Sequence, residues 1–147
     1  MKRCIFVLLM CIFTCSLGFS ASDTPVKNLP AQANEFIQKH FPGYKIIRIS
    51  MEREFTGKEY KAYIHKNGNA YKLEFDAKGQ IKDMDAQGKK ALPDSSIPAM
   101  IVDYVKENFT GSKIMEWSQS RKLQVVELDN DMELVFDRHG NLVKIDD

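Results

Sequence analysis

Residues 29–46 read LPAQANEFIQKHFPGYKI, and residues 97–114 read IPAMIVDYVKENFTGSKI. At an offset of 68 positions, Pro30, Ala31, Phe41, Gly43, Lys45 and Ile46 return as Pro98, Ala99, Phe109, Gly111, Lys113 and Ile114. Glu35, Phe36 and Ile37 return in kind as Asp103, Tyr104 and Val105. No gap is needed, so the chain holds an internal repeat. In each copy the apolar residues recur at three- and four-residue spacing: Leu29, Ala33, Phe36, Ile37 and Phe41, then Ile97, Ile101, Tyr104, Val105 and Phe109. That period predicts an amphipathic helix. Asn28 and Ser96 stand where a capping side chain is expected, and proline is tolerated in a first turn. Gly43 and Gly111 stand where a left-handed C-terminal cap is expected.

Strand patterns follow each helix. Ile47-Ile49-Met51, Tyr60-Ala62-Ile64, Tyr71-Leu73-Phe75 and Ile81 place apolar groups at alternate positions, which gives a sheet with one buried face. The matching positions of the second copy are Met115-Trp117, Leu123-Val125, Met132-Leu134-Phe136 and Leu142. Phe75 to Ile81, FDAKGQI, returns as FDRHGNL at Phe136 to Leu142, an offset of 61. The second copy has therefore lost seven residues, which this reading places in the first hairpin, around Glu54 to Lys58. Asp76 and Gly79 persist as Asp137 and Gly140, while Ala77 and Lys78 become Arg138 and His139. A hairpin turn needs what persists, so the loop reads as architecture rather than as a ligand site. The expected fold is α+β: two tandem helix-plus-antiparallel-meander repeats forming one sheet, with both helices on one face. Residues 28–147 form a single domain in this reading, with repeats at 28–85 and 96–147 and a polar connector at 86–95.

The first residues are read apart from the fold. Lys2 and Arg3 precede an apolar run from Cys4 to Phe13, and small residues follow at Gly18, Ser20, Ala21 and Ser22. This is the layout of a signal peptide over residues 1–20, with a flexible lead-in at 21–27. The run falls short of the roughly 18 apolar residues of a spanning helix. Ile12-Phe13-Thr14 fits poorly the small-residue pattern that would make Cys15 a lipidated first residue. The predicted location is periplasmic or secreted, without stable membrane insertion after cleavage. All three cysteines, Cys4, Cys11 and Cys15, lie in the leader, so the mature chain has no disulfide, thiolate metal site or cysteine nucleophile. Removing Lys2 and Arg3 from 21 basic residues leaves 19 against 20 acidic ones, a net charge near −1. Such a balance lacks the basic excess of a nucleic-acid binder.

Chemistry-bearing constellations are scarce. His40, His65 and His139 fall on a helix end, a strand and a turn, without metal-ligand spacing. Ser118 and Ser120 lack a nucleophile-elbow context. Asp83-Met84-Asp85-Ala86-Gln87-Gly88 has the first, third and sixth positions of a calcium loop. Its fifth is Gln87, its twelfth is Asp94 rather than glutamate, and a strand precedes it rather than a helix, so it reads as a solvated strand end. No catalytic residue, metal site or cofactor is assigned, and no enzyme is expected.

The doubled Leu-Pro and Ile-Pro helix starts at 29–30 and 97–98, the FPG and FTG closures at 41–43 and 109–111, and the paired aromatic-Asp-x-x-Gly turns resemble the PepSY-like family. Its members are exported proteins of Gram-negative bacteria, described as β-lactamase-inhibitor-like. The resemblance covers residues 28–147. It implies helices on one side of an open sheet and a non-catalytic role in binding a protein or peptide of the cell envelope, including inhibition of an enzyme there. The alternative is a periplasmic binder of a small apolar ligand, such as a lipid or cell-wall fragment. Strand parity nominates the binding side chains. In the first copy the open face should show Tyr63 and His65 among polar neighbours. In the second it should show Val126, Leu128, Val135 and Val143, with Ile145 beside them. An exposed apolar cluster of that size marks an interface, self-association included.

Overall fold

The computed structural model describes residues 24–25 and 27–147. The leader read at residues 1–20, its three cysteines and most of the lead-in lie outside the described residues. The first repeat comprises α1 (Ala31–His40) and the strands β2 (Lys45–Glu54), β3 (Gly57–Lys66), β4 (Asn69–Phe75) and β5 (Ile81–Ala86). A short strand β1 (Thr24–Pro25) pairs with β2 at Met51 and Ser50. After a 3-10 turn (Asp94–Ser96), the second repeat gives α2 (Ala99–Asn108), β6 (Ile114–Gln119), β7 (Leu123–Leu128), β8 (Glu133–Asp137) and β9 (Leu142–Asp146). All nine strands lie in sequence order in one antiparallel sheet. The seam between repeats is β5 against β6, where Met84 pairs with Trp117.

Both helices cover the same face. Ala33 and Ile37 of α1 and Ile101, Val102 and Val105 of α2 share one buried cluster with Ile64, Leu73, Met84, Trp117, Leu134 and Phe136. One aromatic contact is built twice. Phe36 meets Phe75 edge-on with centroids 5.9 Å apart, and Tyr104 meets Phe136 edge-on at 5.4 Å. Such a pair contributes about 1 kcal/mol beyond the area it buries.

Helix ends follow the expected chemistry in part. Pro30 and Pro98 precede the first turns, and their carbonyls accept the Ala33 and Ile101 amides at 3.0 Å. Neither helix has a side-chain cap. Ser96 instead donates its hydroxyl to the Pro93 carbonyl at 2.6 Å within the 3-10 turn, which corrects its reading as an N-cap. Beyond the C-termini, Gly43 and Gly111 take φ of +78° and +85°, where a side chain would be strained.

The irregularities of the sheet repeat as well. β2 bulges between Ile46 and Arg48, and β6 at the equivalent Ile114 and Glu116. β5 bulges at Lys82, opposite Glu74 and Phe75, and β9 at the equivalent Val143, opposite Val135 and Phe136. The first bulge leaves Ile47 without a partner residue and 66% exposed, so Ile47 does not join Ile49 on the core face as alternation predicts.

Two readings of the second copy are corrected together. The lost residues are not all in the first hairpin. Ile49 pairs with Ala62, 13 positions on, and Trp117 with Val126, nine on, so four are missing there. Ala62 pairs with Leu73, 11 positions on, and Val126 with Leu134, eight on, so the other three are missing at the next turn. That change is odd in number, because a two-residue turn at Asn67-Gly68 is replaced by three residues, Asp129 to Asp131. A fixed offset counted back from β8 therefore lands on the wrong face of β7. Val126 and Leu128 belong to the core, at 0% and 1% exposure, and not to the open face. Leu123 and Val125 take the open side instead.

Candidate functional site

The face opposite the helices carries no covering element among the described residues, and strand register puts its side chains in rows. One row runs from Tyr63 to Lys72, then Asp85, Glu116, Glu127, Glu133 and Asp146, each opposite the next across the sheet. The neighbouring row runs from Lys61 through Glu74, Asp83, Ser118, Val125 and Val135 to Lys144. Alternation in each strand sends these residues outward, so the sequence period that builds the core also builds this surface. Five carboxylates stand directly opposite one another from β5 to β9, an arrangement that is unfavourable in the absence of a counter-charge. Cations lie mainly at the β2–β4 side, where Arg48 sits 5.0 Å from the Tyr63 ring centroid and Lys61 bridges to Glu52 at 2.9 Å.

The central acids are partly withdrawn from water. Burial, reinforced by Glu74, pushes the Asp83 carboxyl up to about 7. Burial, with Asp85 and then Glu127, pushes Glu116 up to about 7. Glu133 is raised by burial and by Asp146. Burial opposes the charge on Lys72, but Glu74, Asp83 and Asp85 outweigh it and hold the ammonium above its ordinary pKa. Lys72 bonds Glu74 at 3.1 Å. A groove of about 560 Å³ runs along this region, with Lys72, Asp83, Asp85, Glu116 and Glu127 on its floor and Asp129 and Asp131 at one side.

The segment from Asp83 to Gly88 begins inside a strand. Asp83, Met84 and Asp85 lie within β5, so the segment is extended and sends both aspartates to the open face. Among the described residues, no three of His, Cys, Asp and Glu are grouped so as to hold a metal ion.

The nominated binding residues fall in separate places. Tyr63 is half-buried on the open face, packed under Arg48. His65, two residues on, is exposed opposite Lys45 and Ala70. Val135 is on the open face but 7% exposed, between Val125 and Lys144. Val143 is 60% exposed at the β9 bulge. β3 and β8 are five strands apart, roughly 24 Å at the usual spacing, so Tyr63 and Val135 share a face but not a site. Val126 and Leu128 are absent from it. The apolar cluster expected there becomes Leu123, Val125 and Val135, and the dominant feature is the band of acids. Its signal was the outward placement of Asp and Glu at alternate strand positions, which reads as ordinary solvated surface until register aligns them across five strands.

The PepSY-like, beta-lactamase-inhibitor-like family profile matches the chain twice, at residues 19–83 and 58–144. A structure from Bacteroides thetaiotaomicron, described as a "putative calcium-regulated periplasmic protein", is 35% identical. It covers 85% of this chain and 97% of its own, with a TM-score of 0.76. Two structures from Bacteroides vulgatus, both described as "putative periplasmic" proteins, are 31% identical. They cover 88% and 86% of this chain and all of their own, with TM-scores of 0.78 and 0.75. No protein of curated description matches. No described helix is long and apolar enough to cross a membrane. The doubled profile match and the relatives above 30% identity, on a fold of two helix-plus-meander repeats, place the chain in the PepSY-like, beta-lactamase-inhibitor-like family.

Proposed function

We propose that this chain is an exported, non-catalytic binding module that docks a protein or peptide on its open sheet face. The observation that carries the reading is the uncovered acidic groove on that face, where burial and neighbouring acids raise the Asp83 and Glu116 carboxyls to about 7. Six acids, Asp83, Asp85, Glu116, Glu127, Asp129 and Asp131, line the groove against Lys72, Lys89 and Lys113, so the favoured partner is a basic segment of an envelope or secreted protein, an enzyme that the docking inhibits among them. Export through the leader read at residues 1–20 agrees with the periplasmic description of the relatives.

The test is titration of the ¹⁵N-labelled mature chain with a lysine-alanine alternating decapeptide, beside capture and mass spectrometry of cross-linked envelope partners. Amide shifts are expected at Asp83, Asp85, Glu116 and Glu127. Affinity should rise from pH 6 to pH 8 as acids titrating near 7 ionise, and fall with salt. Asp83→Asn with Glu116→Gln should weaken it. Shifts confined to other surfaces, or binding indifferent to pH and salt, would overturn the reading. One relative's calcium-regulated description makes millimolar calcium the control. If calcium moves the same amides and the peptide does not, the groove takes a cation rather than a protein.

A further inference from the structure

A second cleft, of about 540 Å³, opens where the connector crosses between the repeats, and it shares only Lys113 with the groove on the open face. Its walls are apolar and fixed. The Tyr44 and Tyr71 rings lie 5.4 Å apart. Tyr71 donates its hydroxyl to the Ala91 carbonyl at 2.9 Å, and the Leu92 amide donates to the Ile114 carbonyl at 2.9 Å, which pins the connector as the opposite wall. Lys66, Lys90 and Lys113 line the cleft and are exposed, and no carboxylate lines it.

Lys61, Lys72, Lys82, Lys106 and Lys144 each bridge to an acid. Among the described residues the three cleft lysines have no such partner. Asp129 accepts the Lys113 backbone amide at 3.1 Å and lines the other groove, and Asp94, next to Pro93, bridges to Lys106 at 2.7 Å. Lys66 is already positioned, donating to the Pro42 carbonyl at 3.0 Å with its ammonium 5.8 Å from the Tyr44 centroid. His40 also lines the cleft. Burial and Lys39 lower its pKa, so the imidazole is neutral at pH 7 and the positive charge belongs to the lysines.

We propose that this cleft binds a small anion with an apolar body, its acidic group held by Lys66, Lys90 and Lys113 and its body laid against Tyr44, Tyr71 and Pro93. The volume is that of an ordinary small-ligand site, a few hundred Å³ of mostly apolar wall with a few placed polar groups. Charge complementarity selects the anion, and the paired tyrosines select a flat or flexible hydrocarbon over a hydrated one. The inference is independent of docking on the open face.

The probe is 4-phenylbutyrate, titrated into the ¹⁵N-labelled mature chain at pH 7, with 4-phenylbutanol and acetate as the body and the charge taken separately. Saturable shifts are expected at Tyr44, Lys66, Tyr71, Leu92 and Lys113, with affinity about tenfold or more above either comparator. Lys66→Gln with Lys113→Gln, both exposed positions, should leave the spectrum folded and reduce the acid to the affinity of the alcohol. The proposal is overturned if the alcohol binds as tightly as the acid, if acetate alone reproduces the shifts, if the shifts lie elsewhere, or if the paired variant binds unchanged. Because amides of both grooves are read in one spectrum, failure here is distinguishable from failure of the open-face reading.

Discussion

Gly79 shows what a single residue contributes to the repeat. Asp76 Oδ1 accepts the Lys78 and Gln80 amides, both at 2.9 Å, and Asp137 Oδ1 accepts those of His139 and Asn141 at 2.8 and 3.0 Å. Gly79 closes its turn at φ +89°, and a Cβ there would lie 2.8 Å from the Ala33 backbone nitrogen. The turn thus needs glycine twice over, for its dihedral and for its approach to α1. Gly68 has a similar φ of +79° with nothing within 4 Å. Gly68→Ala should therefore lose only the left-handed strain, about 1 kcal/mol, and Gly79→Ala at least about 2 kcal/mol, because backbone cannot swing aside. Urea midpoints at unchanged slope measure both, and equal losses would show that the contact with α1 is immaterial. The acids of the open face make a second prediction. Asp83 and Glu116 titrate near 7 when folded, against ordinary values of 3.8 and 4.5. Below about pH 4 both are protonated whether folded or not, and neither opposes folding. Between about pH 4 and 7 the folded chain binds more protons, so stability should fall as pH rises and level off above 7, by a few kcal/mol in all. Asp83→Asn with Glu116→Gln should flatten that slope and stabilise the protein at pH 8. A denaturation series over pH 4–8 that slopes the same way in the variant would refute the assignment.

Elements were legible wherever a short local rule decides them. Both helices, the positive-φ glycines after them and the paired Asp-x-x-Gly turns follow from spacing and from residue chemistry alone. Faces were legible only while turn length was known. Counting back from β8 put Val126 and Leu128 outside, because the change from two to three residues at a turn rich in Asp and Asn leaves no mark in the hydrophobic alternation. Ile47 failed for the same kind of reason, a bulge that one strand cannot reveal without its partner. The acidic band is a property of register across strands, so no single strand announced it. The β2–β3 hairpin is where the two copies differ most, and all six residues of its tip, Arg53 to Lys58, are exposed, Phe55 fully so. Replacing Arg53 to Lys58 by Asn-Gly removes four residues, restores the spacing of β6–β7, and leaves the flanking Glu52 and Glu59 pair intact. The fold should survive with stability changed by about 1 kcal/mol or less, since no buried side chain is lost. Loss of amide dispersion outside β2 and β3 would show that the longer hairpin supports the sheet.

At the scale of the molecule, the question is whether two repeats make one cooperative unit. The sheet is continuous through β5 and β6, and the buried cluster draws on both helices, so neither half closes its own core. Trp117, the single tryptophan, stands at the seam opposite Met84 and donates to Gln124 at 3.3 Å. A half of roughly 60 residues buries too little surface to be more than marginal, and separation would open a new edge along β5 and expose Met84 and Trp117 to water. The intact chain from residue 21 onward should unfold in urea as one transition, with Trp117 fluorescence and far-ultraviolet circular dichroism giving the same midpoint. Residues 24–92 expressed alone should show no cooperative transition, and neither should residues 93–147. If circular dichroism instead resolves two steps, with Trp117 following only one, the repeats are energetically separate and the shared core is a contact between two domains. A shared core predicts a further detail that separate domains do not. Met84→Ala in the first repeat should lower the Trp117 midpoint and the circular dichroism midpoint together, by the about 2–5 kcal/mol that a large-to-small change in a fully buried position costs.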